Sequence, residues 1–404
     1  MTITTATGDC VLPHIDFGTD DLPDFHELMD ELRAGGHRIA KVRYIGGSAW
    51  LLLRHEDVYR AFRDSEHFPS SAAYCRIAMP TMGRTIQCME GEEHRIKRAL
   101  VSGAFLPAAV RRHVEALLRP LAQRLIDGFA GRTELDLVEA YCHRYPLQVI
   151  TGLLGIPADD EQQLLDWIHG LFLYPWDPDG ALRARTAITD YLLPVIHARR
   201  AQPRDDLISA LTQAETEGHR LDDEDILSFI RLLFPAGADT TYLALGSMMN
   251  AVLSDAALTR QLLAEPERIP AAVEESLRLF GTVCLLPRYT ETGFTLDDVV
   301  IPPNSTVLFG AAPADRDPLV YAEPHRFDVE RQPRHLVTFG GGPHFCLGTH
   351  LARAEMCISL ELLLERLPGL RLRDGAMPAT SAVLRGVRKL PVRFDAVLPA
   401  SDTH

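Results

Sequence analysis

No twenty-residue apolar run occurs anywhere in the 404 residues, and the opening MTITTATGDCVLPHIDFGTDDLPDF has no basic-then-apolar signal pattern. A cytoplasmic protein without a membrane anchor is expected. An excess of positive charge is missing as well. Lys and Arg number 41 against 55 Asp and Glu, a net charge of −14, which repels polyanions and makes nucleic acid and acidic membrane surfaces poor partners. The seven cysteines include no CxxC pair, which argues against a disulfide framework and for a reducing compartment. There is no GxGxxG turn, so the chain carries no dinucleotide site of its own. With neither repeat nor low-complexity linker, residues 1–404 read as one domain, and a monomer is expected.

What is present is mainly helical periodicity. A short helix is predicted near Asp24 to Ala34, a hairpin over Ile39 to Leu53 around Gly46-Gly47, and a helix over Glu56 to Ser65 with Val58, Ala61 and Phe62 inward. Pro69 to Met89 is rich in Ser, Ala, Pro, Gly and Met without a period, and reads as a long, functional loop. Helices are then predicted over His94–Ser102, Pro107–Phe129, Tyr145–Leu154, Asp159–Leu173, Gly180–Arg200, Asp205–Glu217, Asp222–Leu253, Ala256–Ala264, Ala271–Leu279 and Leu347–Leu367. The β-rich portion comes from about 36–55, 288–310 and 380–396. The fold class is mainly α with a smaller β part.

Two stretches carry chemistry. Asp222 to Leu253 would run roughly 45 to 50 Å as one helix. Pro235 and Gly237 sit in its middle, where a helix loses a hydrogen bond and a strong former, so an opened turn is expected there. Asp239 and Thr240 place a carboxylate and a hydroxyl beside it, a pair suited to relaying protons; the plainer reading is a core helix whose Thr bonds back to a carbonyl. The second stretch is FGGGPHFCLG, Phe339 to Gly348, whose glycines at 340, 341, 342 and 348 permit positive φ and close approach to a flat ligand. Cys346 falls where a helix N-terminus favours a thiolate. Structural zinc fails on ligand count despite His344 and His350, while a nucleophilic or an inert buried cysteine stays open on these residues alone.

Phe339-x-x-Gly342-x-x-x-Cys346-x-Gly348 resembles the haem-binding signature of the cytochrome P450 family. The companion marks follow in the family's order: His94-x-x-x-Arg98, Ala236-Gly237-Ala238-Asp239-Thr240, Glu275-Ser-Leu-Arg278, Pro287-Arg288, Asp315-Arg316-Asp317-Pro318, Arg331, and Leu351-Ala352-Arg353-Ala354-Glu355, as in the soluble bacterial branch. Together they cover roughly Gly91 to Phe394. Pro235 and Asp315 depart from the pattern, the latter standing where related soluble members commonly carry Asn.

The resemblance implies a haem lying between the long central helix and the cysteine-bearing turn and helix. Cys346 would ligate iron, with Phe339, Gly340 and Gly348 around it; His94, Arg98, Arg288 and His344 would meet the propionates; Ala236 and Gly237 would border the oxygen groove, and Asp239 with Thr240 would deliver protons. Glu275, Arg278 and Arg331 would form a structural ion network. Tyr74, Ile86, Phe172, Leu233, Val283, Leu285 and Val383 map to substrate-contacting positions, with Tyr174 and Trp176 in a lid and Arg76 and Arg84 as anchors for a carboxylate. It implies haem b, O2 as co-substrate, and electrons from NAD(P)H through a reductase and a separate ferredoxin. That ferredoxin would dock on a basic patch of Arg95, Lys97, Arg111, Arg112 and Arg353 on the thiolate side. The reaction expected is hydroxylation of a hydrophobic small molecule. A peroxide-driven peroxygenase and a non-catalytic haem sensor or carrier are the alternatives, the first disfavoured by Asp239 and Thr240.

Overall fold

The computed structural model describes residues 10–157, 161–174, 177–296 and 299–400, with the side chains of Glu161, Gln162 and Phe172 outside that description. In chain order the elements are α1 (Phe25–Ala34), β1 (Ile39–Tyr44), β2 (Gly47–Leu52), α2 (His55–Ala61), α3 (Ser70–Ile77), α4 (Met79–Met82), α5 (Gly91–Ser102), α6 (Pro107–His113), α7 (Arg119–Asp127), β3 (Glu134–Asp136), α8 (Arg144–Leu154), α9 (Glu161–Phe172), α10 (Pro178–Ala201) and α11 (Leu207–Gln213). They continue with β4 (Glu215–Thr216), β5 (His219–Arg220), α12 (Asp223–Leu253), α13 (Ala256–Ala264), α14 (Ile269–Leu279), β6 (Leu285–Thr290), β7 (Phe294–Leu296), β8 (Val299–Ile301), β9 (Ser305–Gly310), α15 (Ala311–Ala314), α16 (Thr349–Arg366), β10 (Arg371–Leu372), β11 (Met377–Pro378), β12 (Val387–Lys389) and β13 (Pro391–Arg393). These residues form two compact units: Met1–Ala72, Leu243–Cys346 and Arg371–Val392 in the first; Ala73–Tyr242, Leu347–Leu370 and Arg393–His404 in the second.

The first unit is built on a sheet ordered β1-β2-β9-β6, with β2 and β9 parallel and the outer pairs antiparallel. Side chains alternate across it with a period of two. Leu51 and Leu308 join Phe17, Phe25 and Val42 on one face, while Leu52, Val307 and Phe309 join Phe62 and Phe68 on the other. The hairpin turn is Ile45-Gly46, both at positive φ, one residue earlier than the glycine pair suggests. Asp16 holds it there by accepting from the backbone N–H groups of Ile45 (2.8 Å) and Gly46 (2.7 Å), which offsets the cost of a β-branched residue in the left-handed region.

The second unit is helical, with the short β4–β5 hairpin among its exceptions. The helix expected over Pro107 to Phe129 is interrupted by a π turn at Val114–Leu118, which ends two residues before Pro120, a residue with no N–H to continue the ordinary ladder. The segment Pro69 to Met89 is not a loop: α3, α4 and a 3₁₀ turn at Ile86–Cys88 occupy it. The helix expected to reach Glu217 stops at Gln213, because Glu217 (φ 52°) and Gly218 (φ 79°) make the turn of the β4–β5 hairpin. α12 is one helix from Asp223 to Leu253, with Pro235 inside it.

Candidate functional site

In the first unit the cysteine turn is closed by the Cys346 N–H donating to the Phe339 carbonyl at 2.9 Å, with the Gly340 N–H on the Val337 carbonyl at 2.8 Å. Gly340 (φ 73°) and Gly342 (φ 63°) take the left-handed conformation, whereas Gly341 is extended and Gly348 sits at φ −82°. A Cβ on Gly341 would meet Phe62 and Arg63, and one on Gly342 would meet the Phe62 carbonyl at 2.5 Å. These two glycines therefore let the turn pack on the end of α2. Beyond Cys346 the helix begins only at Thr349, not at Leu347. Cys346 and Phe345 are both exposed.

Among the described cysteines Cys346 is the exposed one. Burial pushes Cys88 up to about 11, Cys284 to about 12 and Cys142 further still. Those three resist ionisation and sit in core positions.

Behind the turn lies a polar lattice. Arg278 and Glu275 are both fully buried on α14 and paired at 2.8 Å. Arg331 joins them, its Nε donating to Glu275 Oε1 at 3.0 Å. Arg278 also donates to the carbonyls of Asp315, Pro324 and Arg326. Asp315 continues the lattice with its side chain, accepting the Val337 N–H at 3.1 Å on one oxygen and the Thr338 N–H at 3.0 Å on the other. It thereby pins the strand of chain that enters the cysteine turn.

Burial pushes the Asp315 carboxyl up to about 8, against the pull of those two N–H groups and of Arg278. The sign follows from linkage. Between about pH 4 and 8 the folded state keeps this proton and the unfolded chain has lost it, so stability falls with rising pH by up to about 1.4 kcal/mol per unit. Thermal unfolding of the Asp315→Asn variant across that range is expected to lose this slope. A stability difference between wild type and Asp315→Asn that instead grows with pH in this window would show Asp315 ionised in the fold.

Arg288 on β6 is buried and lies 5.6 Å from the Phe309 ring centroid, with Nη1 on the Pro287 carbonyl. His344 is half-buried in the turn. Val283 bridges Leu384, and the Cys284 N–H donates to the Val383 carbonyl at 2.9 Å, which brings Val283 and Val383 to one place. Leu285 is instead a core residue on the face of the sheet with Phe17 and Leu308, as strand alternation requires.

In the second unit His94 and Arg98 lie one turn apart on α5, His94 buried and Arg98 half-buried. Ala236 is exposed on α12, whereas a Cβ on Gly237 would lie 2.8 Å from Ile150 Cδ1, so that glycine serves the approach of α8. Thr240 Oγ1 donates back to the Ala236 carbonyl at 2.6 Å, leaving the oxygen's lone pairs as acceptors. Asp239 is mostly buried, with His169 of α9 at 3.6 Å; no signal in the sequence marked His169. Tyr74 and Ile86 are half-buried on α3 and the following 3₁₀ turn, and Leu233 is buried on α12. The side chain of Phe172 and all of Trp176 lie outside the described residues.

The basic cluster is smaller than its sequence suggests. Arg95 is held by Glu92 and Glu217, and Lys97 by Asp225. Arg84 forms a fork with Glu93, which occupies the charge proposed for a substrate anchor. Arg111 and Arg112 remain exposed on α6, which packs against α16, the helix that carries Arg353. No described helix is long and apolar enough to cross a membrane.

Within the first unit the residues fit a thiolate-ligated haem: an exposed thiol on a turn fixed by its own backbone, an exposed aromatic ring beside it, and a buried cation on β6 for a carboxylate. Comparisons with known proteins agree with that fit. The model of the family described as cytochrome P450 matches residues 10–375. Mycinamicin IV hydroxylase/epoxidase from Micromonospora griseorubida is 34% identical over 86% of this chain and 90% of its own length. Cytochrome P450 monooxygenase PikC from Streptomyces venezuelae is 33% identical over 94% and 92%. The solved structure of cytochrome P450 CYP109Q5 from Chondromyces apiculatus superposes with a TM-score of 0.85 at 28% identity, covering 93% of this chain and 96% of that one.

Proposed function

The chain belongs to the cytochrome P450 family, a monooxygenase family that works with haem iron and O2, and on that premise we propose a ferredoxin-fed enzyme that hydroxylates or epoxidises a hydrophobic small molecule. One oxygen atom enters the substrate and the other leaves as water, with two electrons and two protons consumed. The electrons come from NAD(P)H through a reductase and a ferredoxin. The observation that carries the reading is the cysteine turn, where the Cys346–Phe339 hydrogen bond and two left-handed glycines present an exposed thiol.

Haem ligated by a thiolate supplies dioxygen activation when bound. Cys346 would hold it, with Arg288 and His344 toward propionates, and the family resemblance gives His94 and Arg98 of α5 the same role. Val283 and Val383, which lie together, supply apolar contacts for the substrate, and the resemblance gives Tyr74, Ile86 and Leu233 substrate-contacting roles as well. Arg111, Arg112 and Arg353 attract the acidic ferredoxin by steering. The free cysteines fit a cytoplasmic location.

Thr240 and Asp239 handle protons. The Thr240 hydroxyl proton is committed to the Ala236 carbonyl, so its oxygen is oriented to accept a hydrogen bond from a water or a protonated ligand. Thr240→Ala is expected to keep its haem while product per NAD(P)H falls on the order of 100-fold, with hydrogen peroxide taking the missing electrons. The test of the whole reading is the carbonyl spectrum of the reduced protein, together with product formation in the presence of NAD(P)H, reductase and ferredoxin. A spectrum lacking a thiolate-ligated haem band refutes it; turnover with peroxide alone favours a peroxygenase.

A further inference from the structure

Resting on the reading of Asp239 as a proton carrier, we propose that His169 loads it: the imidazole takes protons from solvent and hands them to the Asp239 carboxylate. The geometry is that of a relay with one wet end. The His169 Nε2 stands 3.6 Å from Asp239 Oδ1, and its side chain is 47% exposed against 13% for Asp239. That Oδ1 is itself buried and has no hydrogen-bond partner among the described residues, so the carboxylate has an acceptor near the imidazole and held out of bulk water. The gap is slightly longer than a hydrogen bond and closes with a small rotation of either side chain.

The helix that carries His169 is fixed in rotation. Gly170 lets α9 sit tightly on α10, for a Cβ there would come within 2.7 Å of the Ala184 Cβ. The imidazole also lies 6.0 Å from the His143 ring, which packs edge-on against Tyr242 at 4.8 Å. The groups around His169 are Asp239 of α12, His143 and Tyr242, and Asp166 of its own helix; Asp177 and Arg183 border the same α9–α10 groove as Asp166. α4, also packed on α9, carries no ionisable side chain.

In the step, the Nε2–H bond breaks and an Oδ1–H bond forms. The imidazole becomes neutral and regains its proton from water. The carboxylic acid then gives its proton inward beside Thr240, so no net charge is left behind. Asp239 raises the pKa of His169 above that of an ordinary imidazole, which keeps the donor charged to higher pH. The relay is therefore intact at low pH and lost as pH rises through the raised value.

The test uses dioxygen itself as the probe, with the holoenzyme, reductase, ferredoxin and NAD(P)H and no added organic substrate. Without a timely proton the reduced dioxygen escapes as peroxide; with it, dioxygen goes to water. In His169→Gln, dioxygen consumption is expected to fall on the order of ten-fold, less than a lost general acid costs because water still reaches the exposed side. The peroxide fraction rises, and the high-pH limb of the wild-type profile disappears. His169→Lys restores the rate and moves the limb upward.

Independently of turnover, the His169 imidazole signal followed by NMR through pH is expected to titrate at lower pH in Asp239→Asn. An unchanged titration in that variant, or a wild-type pH profile in His169→Gln, overturns the relay while leaving the haem-thiolate reading intact. Loss of the thiolate spectrum in the wild-type protein overturns that reading and the relay together.

Discussion

Cys346→Ser abolishes the carbonyl band of a thiolate-ligated haem and all NAD(P)H-dependent product, while Cys10→Ser leaves both unchanged. The effect is expected to be complete because a serine hydroxyl does not supply the electron donation of a thiolate. It is also expected to be clean. Serine is nearly isosteric with cysteine, and the turn is held through the Cys346 N–H and the Phe339 carbonyl, which serine retains. Without haem, the circular dichroism of the variant should match that of wild-type apoprotein, and its stability should differ from holoprotein only by the lost ligand contribution. A variant that keeps the thiolate band would move the ligand elsewhere. Few candidates remain for that, because Cys88, Cys142 and Cys284 are all pushed up by burial.

The cysteine turn and the Glu275–Arg278 pair were legible because their spacing is local, whereas Arg331 was placed with them only by the family resemblance. Phe339 to Cys346 close on each other over seven residues, and Glu275 and Arg278 are one helical turn apart. The hairpin at Ile39 to Leu53 and the helix from Asp223 to Leu253 were legible from period alone. Pro69 to Met89 was not, since the ends of its short helices are tied down from far away. The Pro80 carbonyl accepts from Arg185 at 2.9 Å, and the Met82 carbonyl from the buried Arg231. No local spacing reports bonds of that reach. The Glu217-Gly218 turn was hidden for the opposite reason, a local one: Ala and Glu favour helix, and the signal lay in a single glycine. His169 was invisible because its meaning depends on Asp239, brought to it by the packing of α9 rather than by any motif.

Glu275→Gln is the other large expected loss, and its size follows from counting donors. One carboxylate accepts four N–H groups: Arg278 Nε on Oε2, and Arg278 Nη2, Arg331 Nε and the Asp328 N–H on Oε1. An amide has one acceptor oxygen and would turn its NH2 toward a guanidinium. Arg278 is committed as fully, all five of its N–H groups being used on Glu275, Asp315, Pro324 and Arg326. Breaking a buried pair from one side leaves an uncompensated charge, which costs about 3–5 kcal/mol. The consequence reaches the cysteine through Asp315, whose backbone carbonyl is held by Arg278 and whose side chain holds Val337 and Thr338. Glu275→Gln is therefore expected to unfold at lower denaturant and to retain little haem. Arg278→Lys should do the same, since three donors on a point charge do not reach four partners. Combining the two should cost less than the sum of the singles, because each already dismantles the same lattice. A Glu275→Gln protein within about 0.5 kcal/mol of wild type, with full haem, would show that the turn holds its shape from α2 and the Cys346–Phe339 bond alone.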